Sequence, residues 1–169
     1  MPAPPLTPLA AAVLQLTSAP ERILEIESGD GDGVLFLARE FPSARVRGVD
    51  RDPDAVRAAS GRVGLDPEGR VAFKVGRPRS LPYPDDLFDL VVAVDATPAA
   101  AELARVLRPG GNLILARTDD PAADSRLAAR ILRRRLARRG VTLQPSVQAG
   151  DGSFSVGRRV GVGPRPRGD

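Results

Sequence analysis

The sequence predicts a three-layer α/β fold in which a doubly wound, mostly parallel sheet lies between two layers of helices. Short apolar runs alternate with helical segments at the spacing of β-α units, and a glycine-rich turn follows the first run. The chain has 169 residues, of which 42% are hydrophobic and 27% charged, as expected for one globular domain. Right-handed crossovers between the strands then give a Rossmann-like sheet.

The first half of the chain supplies three strands and the helices between them. Residues 1–8 contain four prolines, and Thr7 followed by Pro8 predicts the start of a short helix that reaches about Thr17. A turn rich in glycine opens the second helix, and Asp52-Pro53 opens the third. The expected strands are 23–26, 46–49 and 71–75.

The second half continues the alternation and then changes to an antiparallel edge. Thr97-Pro98 predicts a helix to Leu107 that Pro109-Gly110-Gly111 ends. Asp120-Pro121 predicts the start of a long amphipathic helix to about Arg139. Its expected apolar face consists of Leu127, Ile131, Leu132 and Leu136. The expected strands are 88–94 and 112–116, followed by a final pair, 141–147 and 153–156.

Domain organisation follows from these elements. We expect an N-terminal extension with a short helix at 1–20, one domain at 21–160 and a disordered Gly/Pro/Arg tail at 161–169. No apolar run approaches the roughly 18 residues of a membrane span, and no basic residue precedes the alanine-rich start. The sequence therefore predicts a cytoplasmic protein with no membrane segment.

The residue types that the chain lacks narrow its chemistry. It contains neither cysteine nor histidine, which excludes disulfides, Cys/His zinc sites and histidine-dependent triads. Three nearby carboxylates, Asp85, Asp86 and Asp89, have the proximity of metal ligands. They fall in a loop and at a strand start, so no metal site is predicted.

Charge is distributed unevenly along the chain. Residues 126–169 carry 11 arginines and two carboxylates, and a basic helix at 126–139 could hold a phosphate backbone. Base readout or single-strand binding usually adds aromatic residues, and the chain has only five Phe and one Tyr. A solvated helix face with a basic tail is the simpler interpretation, and nucleic-acid binding stays the less favoured alternative.

The segment Ile23–Gly33 carries the most information about function. A turn between a parallel strand and its helix leaves backbone amides beside a ligand, and Gly29 and Gly31 permit close approach. Asp50 ends the next strand 19 residues after Gly31, where an acidic residue can accept both ribose hydroxyls of an adenosyl group. Val34 stands where a dinucleotide fingerprint has its third glycine, which argues against a nicotinamide or flavin dinucleotide.

Four segments in order resemble the class I S-adenosylmethionine (SAM)-dependent methyltransferases, especially their small-molecule branch, over roughly residues 21–160. They are I-L-E-I-E-S-G-D-G at 23–31, G-V-D at 48–50, L-P-Y-P-D-D-L-F-D-L-V-V at 81–92 and A-R-V-L-R-P-G-G-N-L-I-L at 104–115. The resemblance implies SAM as cofactor, methyl transfer to a small-molecule acceptor, and the sheet order 3-2-1-4-5-7-6.

The resemblance also implies roles for individual residues. Glu25 would lie near the methionine part of the cofactor, and Gly29 and Gly31 would line it with their backbone. Asp50 would bind the ribose, and Arg51 would border the adenine.

The acceptor side and the departures from the family pattern involve four further residues. The resemblance places Asp95, at the end of the fourth strand, where the acceptor meets the methyl group. Glu27 replaces the first glycine of the motif and brings an anionic side chain toward the methionine moiety. Gly76-Arg77 stands where the family usually has Gly-Asp, and arginine, which only donates, cannot replace that acceptor.

Two main hypotheses about function remain open at this point, in addition to the less favoured alternative of nucleic-acid binding or RNA modification. The first is a SAM-dependent methyltransferase, whose acceptor pocket must be shallow or built by the N-terminal helix because almost no loop separates Asp95 from Pro98. The second is a non-catalytic domain that keeps the fold and acts as a binding or regulatory partner. Glu27 and Arg77 motivate the second hypothesis.

Overall fold

The computed structural model describes residues 6–119 and 123–161, and it contains five helices and eight strands within them. The helices are α1 (Thr7–Val13), α2 (Asp32–Glu40), α3 (Pro53–Gly61), α4 (Ala100–Val106) and α5 (Ala123–Ala137). The strands are β1 (Arg22–Ile26), β2 (Arg45–Asp50), β3 (Val71–Val75), β4 (Phe88–Val94), β5 (Leu107–Arg117), β6 (Val141–Leu143), β7 (Val147–Ala149) and β8 (Gly152–Arg159).

One eight-stranded mixed sheet organises the chain, in the order β3-β2-β1-β4-β5-β8-β6, with β7 also paired to β8. The strands β1 to β5 are parallel, and β8 runs antiparallel between β5 and β6. The predicted fold class is confirmed, including the antiparallel pair at the edge. No helix within 6–119 or 123–161 is both long and apolar enough to cross a membrane.

The edge strand that the sequence predicts as one piece, 141–147, is interrupted. Val141 to Leu143 pair with β8 in one register, and Val147 to Ala149 pair with it one residue out of that register. The extra residue forms a bulge around Pro145, which has no amide to give to the ladder. The Gln144 amide still donates to the Val156 carbonyl at 2.8 Å and keeps the two pieces on one edge.

Helices cover both faces of the sheet. On one face α1 and α2 bury Leu9, Ala12, Val34 and Leu37 against the sheet, and α3 packs on β2 and β3. On the other face α4 and α5 cover the second part of the core, which includes Leu103. Helix α1 therefore packs into the same core as α2 and is part of this helix layer.

The boundaries of two helices and one strand differ from the prediction. Helix α1 ends at Val13, and α4 starts at Ala100 because the Thr97 amide donates to a carboxylate and holds 97–99 as a loop. β5 begins at Leu107, so the Pro-Gly-Gly segment lies in an irregular part of the strand.

Helix α5 buries less of its expected apolar face than predicted. Leu136 is buried and Leu132 is half-buried, whereas Leu127 and Ile131 are 56% and 42% exposed. The expected apolar stripe therefore meets the core only in the C-terminal half of the helix. The predicted helix start at Asp120-Pro121, most of the tail (162–169) and residues 1–5 lie outside the described residues.

Candidate functional site

An open cleft of about 1030 Å³ lies at the carboxyl ends of the parallel strands. Strand β1 lies between β2 and β4 at this edge, which is the switch point of the sheet, where open α/β folds bind ligands. The loops after β1, β2, β3 and β4 and the start of α3 line the cleft. The lining residues are Glu27, Gly29, Asp50, Arg51, Asp52, Ala55, Arg77, Pro78, Arg79, Val94, Asp95 and Thr97.

The loop after β1 is a tight turn with three residues in the left-handed region. The φ angles are +54° at Glu27, +52° at Gly29 and +87° at Gly31. Ser28 anchors the loop, since its amide donates to the Val49 carbonyl and its carbonyl accepts from the Gly31 amide. Glycine takes this conformation readily, whereas for glutamate it costs roughly 1–2 kcal/mol.

The two glycines of the motif have different environments. A side chain at Gly29 would meet nothing within 4 Å, so this backbone faces open space in the cleft. A Cβ at Gly31 would lie 2.8 Å from the Phe73 Cζ atom and 3.1 Å from the Ala59 Cβ atom. Gly29 therefore borders the cleft, and Gly31 is required by packing at the start of α2.

Asp50 is fixed by two backbone amides. Its Oδ2 accepts from the Gly29 amide at 2.9 Å and its Oδ1 accepts from the Asp52 amide at 2.9 Å. Asp52 in turn caps α3 by accepting from the Asp54 amide. A carboxylate has about four lone-pair sites, so Asp50 retains acceptor capacity toward the cleft.

Glu27 links the loop after β1 to the loop after β4. Its Oε2 accepts from the Thr97 amide at 3.3 Å, and its Oε1 lies 3.8 Å from the Arg51 Nε atom. The Glu27 side chain is 22% exposed and that of Arg51 is 73% exposed. These two partners hold a carboxylate in the cleft beside Gly29, at the position where the sequence motif has a glycine.

The segment after β3 also lines the cleft. The Gly76 amide donates to the Asp50 carbonyl, and a Cβ at Gly76 would lie 2.6 Å from both Pro82 Cδ and Val49 Cγ2. Gly76 is thus packed behind the lining, whereas the Arg77 side chain belongs to it. Arg77 brings donors and positive charge to the cleft.

Asp95 lies on the opposite side of the cleft from Asp50. Its backbone is left-handed, with a φ of +51°. Its Oδ1 accepts from the Thr118 amide at 2.9 Å, and its Oδ2 accepts from the Thr118 hydroxyl at 2.7 Å. The carboxylate therefore ties the end of β4 to the residue that follows β5.

Glu25 lies inside the protein, behind the cleft lining. It is buried beneath the start of α2, where the Val34 amide donates to it and its Oε2 has no partner within the described residues. Burial, with added repulsion from Asp30, raises the pKa of Glu25 from about 4.5 to about 8. Gly33 makes room for this carboxyl group, because a Cβ there would lie 2.1 Å from its Oε1.

Several lining residues were not singled out from the sequence. They include Thr97, whose amide binds Glu27, and Arg79, which adds a second arginine beside Arg77. Thr97 follows the end of β4 by only three residues, and strand ends at the switch point are a signal that could have identified it. Arg79 had no comparable signal, since its position depends on how the segment after β3 turns.

Residues 23–111, more than half of the chain, match the family model described as a methyltransferase domain. The chain belongs to the methyltransferase-domain family. The predicted likeness to class I SAM-dependent methyltransferases is confirmed, and SAM is the cofactor of that class.

Individual relatives and solved structures agree with this family. The demethylmenaquinone methyltransferase of Deinococcus radiodurans is 34% identical over 121 residues, which cover 68% of this chain and 50% of the relative. The corresponding enzyme of Thermus thermophilus is 39% identical over 116 residues, or 62% of this chain and 50% of the relative. The chain thus spans about half the length of these curated relatives.

The structural match extends over nearly the whole methyltransferase domain. A structure of the Haloferax volcanii Trm112 methyltransferase activator with a methyltransferase matches with a TM-score of 0.78 and 16% identity, covering 95% of this chain and 91% of that one. Geranyl diphosphate C-methyltransferase from Streptomyces coelicolor matches with a TM-score of 0.74 and 14% identity, covering 89% and 76%. At these identities the matches establish the fold.

Proposed function

We propose that this methyltransferase domain, formed by residues 21–160 with α1 packed on it, binds SAM in the cleft and transfers a methyl group to a small-molecule acceptor. SAM, when bound, supplies an electrophilic methyl group on a sulfonium that is already a good leaving group. The protein then has to position the two reactants and exclude competing geometries. A chain without histidine can meet this demand.

The preorganised Asp50 carboxylate carries the proposal. Two backbone amides, from Gly29 and Asp52, fix its orientation at the cleft, and its remaining lone pairs suit a pair of ribose hydroxyls. The bare backbone of Gly29 leaves open space beside that carboxylate. The nucleoside half of SAM therefore fits the residues at this end.

The adenine would lie between Arg51 and Arg77. Both arginines line the cleft, and a guanidinium group can stack on a purine face. Because these side chains offer donors only, the adenine amino group would need a backbone carbonyl as its acceptor. Gly76 supports this end from behind, through its bond to the Asp50 carbonyl.

The methionine half of SAM meets Glu27. The Glu27 carboxylate lies beside Gly29 and is held by the Thr97 amide and Arg51, so it would have to move for the amino-acid part to enter. Glu25 and Gly31 act indirectly here. They shape the loop and the start of α2 from inside the protein.

Asp95 is the residue that we place beside the acceptor. It lines the cleft at the end of β4, and Thr118 orients both of its oxygens. A carboxylate held in this way can orient a nucleophile or accept its proton.

A small-molecule acceptor agrees better with the surface than a nucleic acid does. Exposed arginines, including Arg130, Arg134 and Arg135, give α5 a basic face. However, all six aromatic side chains of the chain lie within the described residues, and each is buried or half-buried. None of them offers the stacking surface that single-stranded nucleic acids use.

The second candidate is a methyltransferase-like domain that binds a partner without catalysis. One observation favours it, namely the contacts that hold the Glu27 carboxylate in the cleft. Calorimetric titration of the purified chain with SAM and with S-adenosylhomocysteine separates the two candidates. We expect saturable binding of both, followed by acceptor-dependent release of S-adenosylhomocysteine in a screen of small molecules. Absence of binding at millimolar ligand would exclude the enzyme and leave the non-catalytic candidate.

A further inference from the structure

A second cavity, of about 360 Å³, lies between the middle of α5, residues 128–133, and the sheet. Its floor is the antiparallel pair of β5 and β8, where Leu115 faces Ser155 and Arg117 faces Ser153. Of the expected apolar face of α5, Leu132 lines the cavity, whereas the exposed Leu127 and Ile131 do not.

This cavity adjoins the cleft. Thr97 lines both, and Ala93 and Ala96, from the end of β4 and the loop after it, also line the cavity. The sequence predicts an acceptor pocket that is shallow or built by the N-terminal helix; α1 contributes to neither lining, so nothing here supports the second alternative. A partly open space beside the cleft is bordered by α5 instead.

The lining selects for a particular kind of molecule. Alanine, leucine and serine side chains form most of it, so its interior suits an apolar body. At about 30 Å³ for each water-sized group, the cavity has room for about a dozen non-hydrogen atoms. Its described lining residues include three arginines, at 117, 130 and 133, and no aspartate or glutamate.

Arg117 adds the most specific observation. Its Nε atom is buried and has no hydrogen-bond partner within the part of the chain that the structure describes. Among the described residues, its terminal nitrogen forms an ion pair with the Asp119 carboxylate, at 3.9 Å. Since buried donors in proteins almost always have an acceptor, this N–H suits an oxygen supplied by a ligand.

We propose that the cavity beneath α5 binds an apolar monocarboxylate, with its chain among Leu115, Leu132 and Ser155 and its carboxylate on Arg117. This binding site does not depend on the proposed methyl transfer, because the cavity and the cleft have separate linings apart from Thr97.

The test uses octanoate as the probe and 1-octanol as its uncharged counterpart, titrated into the full chain without SAM. Backbone amide NMR shifts report both affinity and location. We expect saturable octanoate binding with shifts at 115–117 and 153–155, and binding of 1-octanol weaker by about tenfold or more, the value of a hydrogen bond to a charged group. If octanoate shows no saturable binding up to about 10 mM, the proposal is overturned.

Three variants locate the site. Ser155→Leu fills the cavity and should abolish binding of both probes, and Arg117→Gln should abolish the preference for octanoate while the chain stays folded. Arg158→Gln removes an exposed arginine from β8, the strand that carries Ser155, and should change neither affinity. Octanoate affinity unaffected by both Ser155→Leu and Arg117→Gln would place the probe elsewhere and overturn the proposal.

The SAM titration is read separately. Octanoate binding without SAM binding would contradict the proposed methyl transfer and leave the carboxylate site standing. SAM binding without octanoate binding would overturn the carboxylate site and leave the proposed methyl transfer standing.

Discussion

The amide of Gly29 donates a 2.9 Å hydrogen bond to the Asp50 carboxylate, across the floor of the cleft. This bond connects the loop after β1 to the end of β2, two strands that pair in parallel just before it. A second amide, from Asp52, holds the other carboxylate oxygen. The acceptor geometry toward the cleft is thus set by the backbone before any ligand binds, which lowers the ordering cost of binding.

Replacing Asp50 by alanine should weaken binding of S-adenosylhomocysteine by about tenfold or more. Each ribose hydroxyl would lose a charged acceptor, at roughly 1.5–3 kcal/mol for a hydrogen bond to a charged group. The measurement is calorimetric titration of wild type and variant at one salt concentration.

The control for Asp50 is Asp54→Asn, which removes a highly exposed carboxylate from the first turn of α3. It should leave the affinity unchanged. Equal affinities for wild type and Asp50→Ala would show that the ribose is bound elsewhere.

Glu27→Gly should tighten binding of SAM. The change removes a side chain and a negative charge from the cleft, and glycine accepts the φ of +54° without strain. The relief of roughly 1–2 kcal/mol of backbone strain is opposed by loss of the Thr97 and Arg51 contacts, so the melting temperature should change little. Calorimetry and thermal unfolding measure the two effects.

The matched variant Glu27→Gln keeps the size of the side chain and removes its charge. If repulsion of the methionine carboxylate dominates, glutamine should recover most of the gain that glycine gives. Weaker SAM binding by Glu27→Gly would contradict the prediction, and would mean that the carboxylate holds the ammonium group of the ligand.

Asp95→Asn should spare cofactor binding and slow methyl transfer by at least about tenfold, since it removes a charge that could assist the acceptor. Asparagine tolerates the left-handed backbone and can still accept from the Thr118 amide. The measurement compares S-adenosylhomocysteine affinity with kcat, using the acceptor that the screen identifies. Thr118→Val, which removes one of the two bonds to Asp95, should give a smaller loss. An unchanged kcat in Asp95→Asn would remove Asp95 from the mechanism.

Glu25 should make the stability of the protein fall as pH rises. Its pKa is raised by burial from about 4.5 to about 8, so between these values the folded protein keeps a proton that the unfolded chain has lost. The free energy of unfolding therefore decreases from about pH 4.5 to about pH 8 through this group. Denaturant unfolding across this range measures the slope.

Glu25→Gln should remove this contribution. The variant should match wild type near pH 4.5. Toward pH 8 its free energy of unfolding should exceed that of wild type by about 1.4 kcal/mol more for each pH unit. Glu40→Gln, an exposed change at the end of α2, should follow wild type at every pH. Parallel curves for Glu25→Gln and wild type would show that Glu25 is ionised in the folded protein near neutral pH.

Local and short-range patterns determined much of this protein. Apolar runs bounded by turn residues located every parallel strand, and the Gly29 and Asp50 motif located the cleft, because both depend on neighbouring residues and on pairing of strands that are adjacent in the chain. The bulge at Pro145 was not predicted, because the shift in register appears only when β6 and β7 are both paired to β8.

Contacts between distant parts of the chain were decided by the tertiary structure alone. The sequence shows that Glu27 replaces a glycine, but its bond to Thr97 joins residues 70 positions apart. Likewise, the cavity beneath α5 exists because β8 inserts beside β5 and sets Ser153 opposite Arg117, while α5 packs on the core mainly through its C-terminal half. No periodicity within one segment encodes such a space, because a cavity is a property of how several elements fail to fill the volume between them.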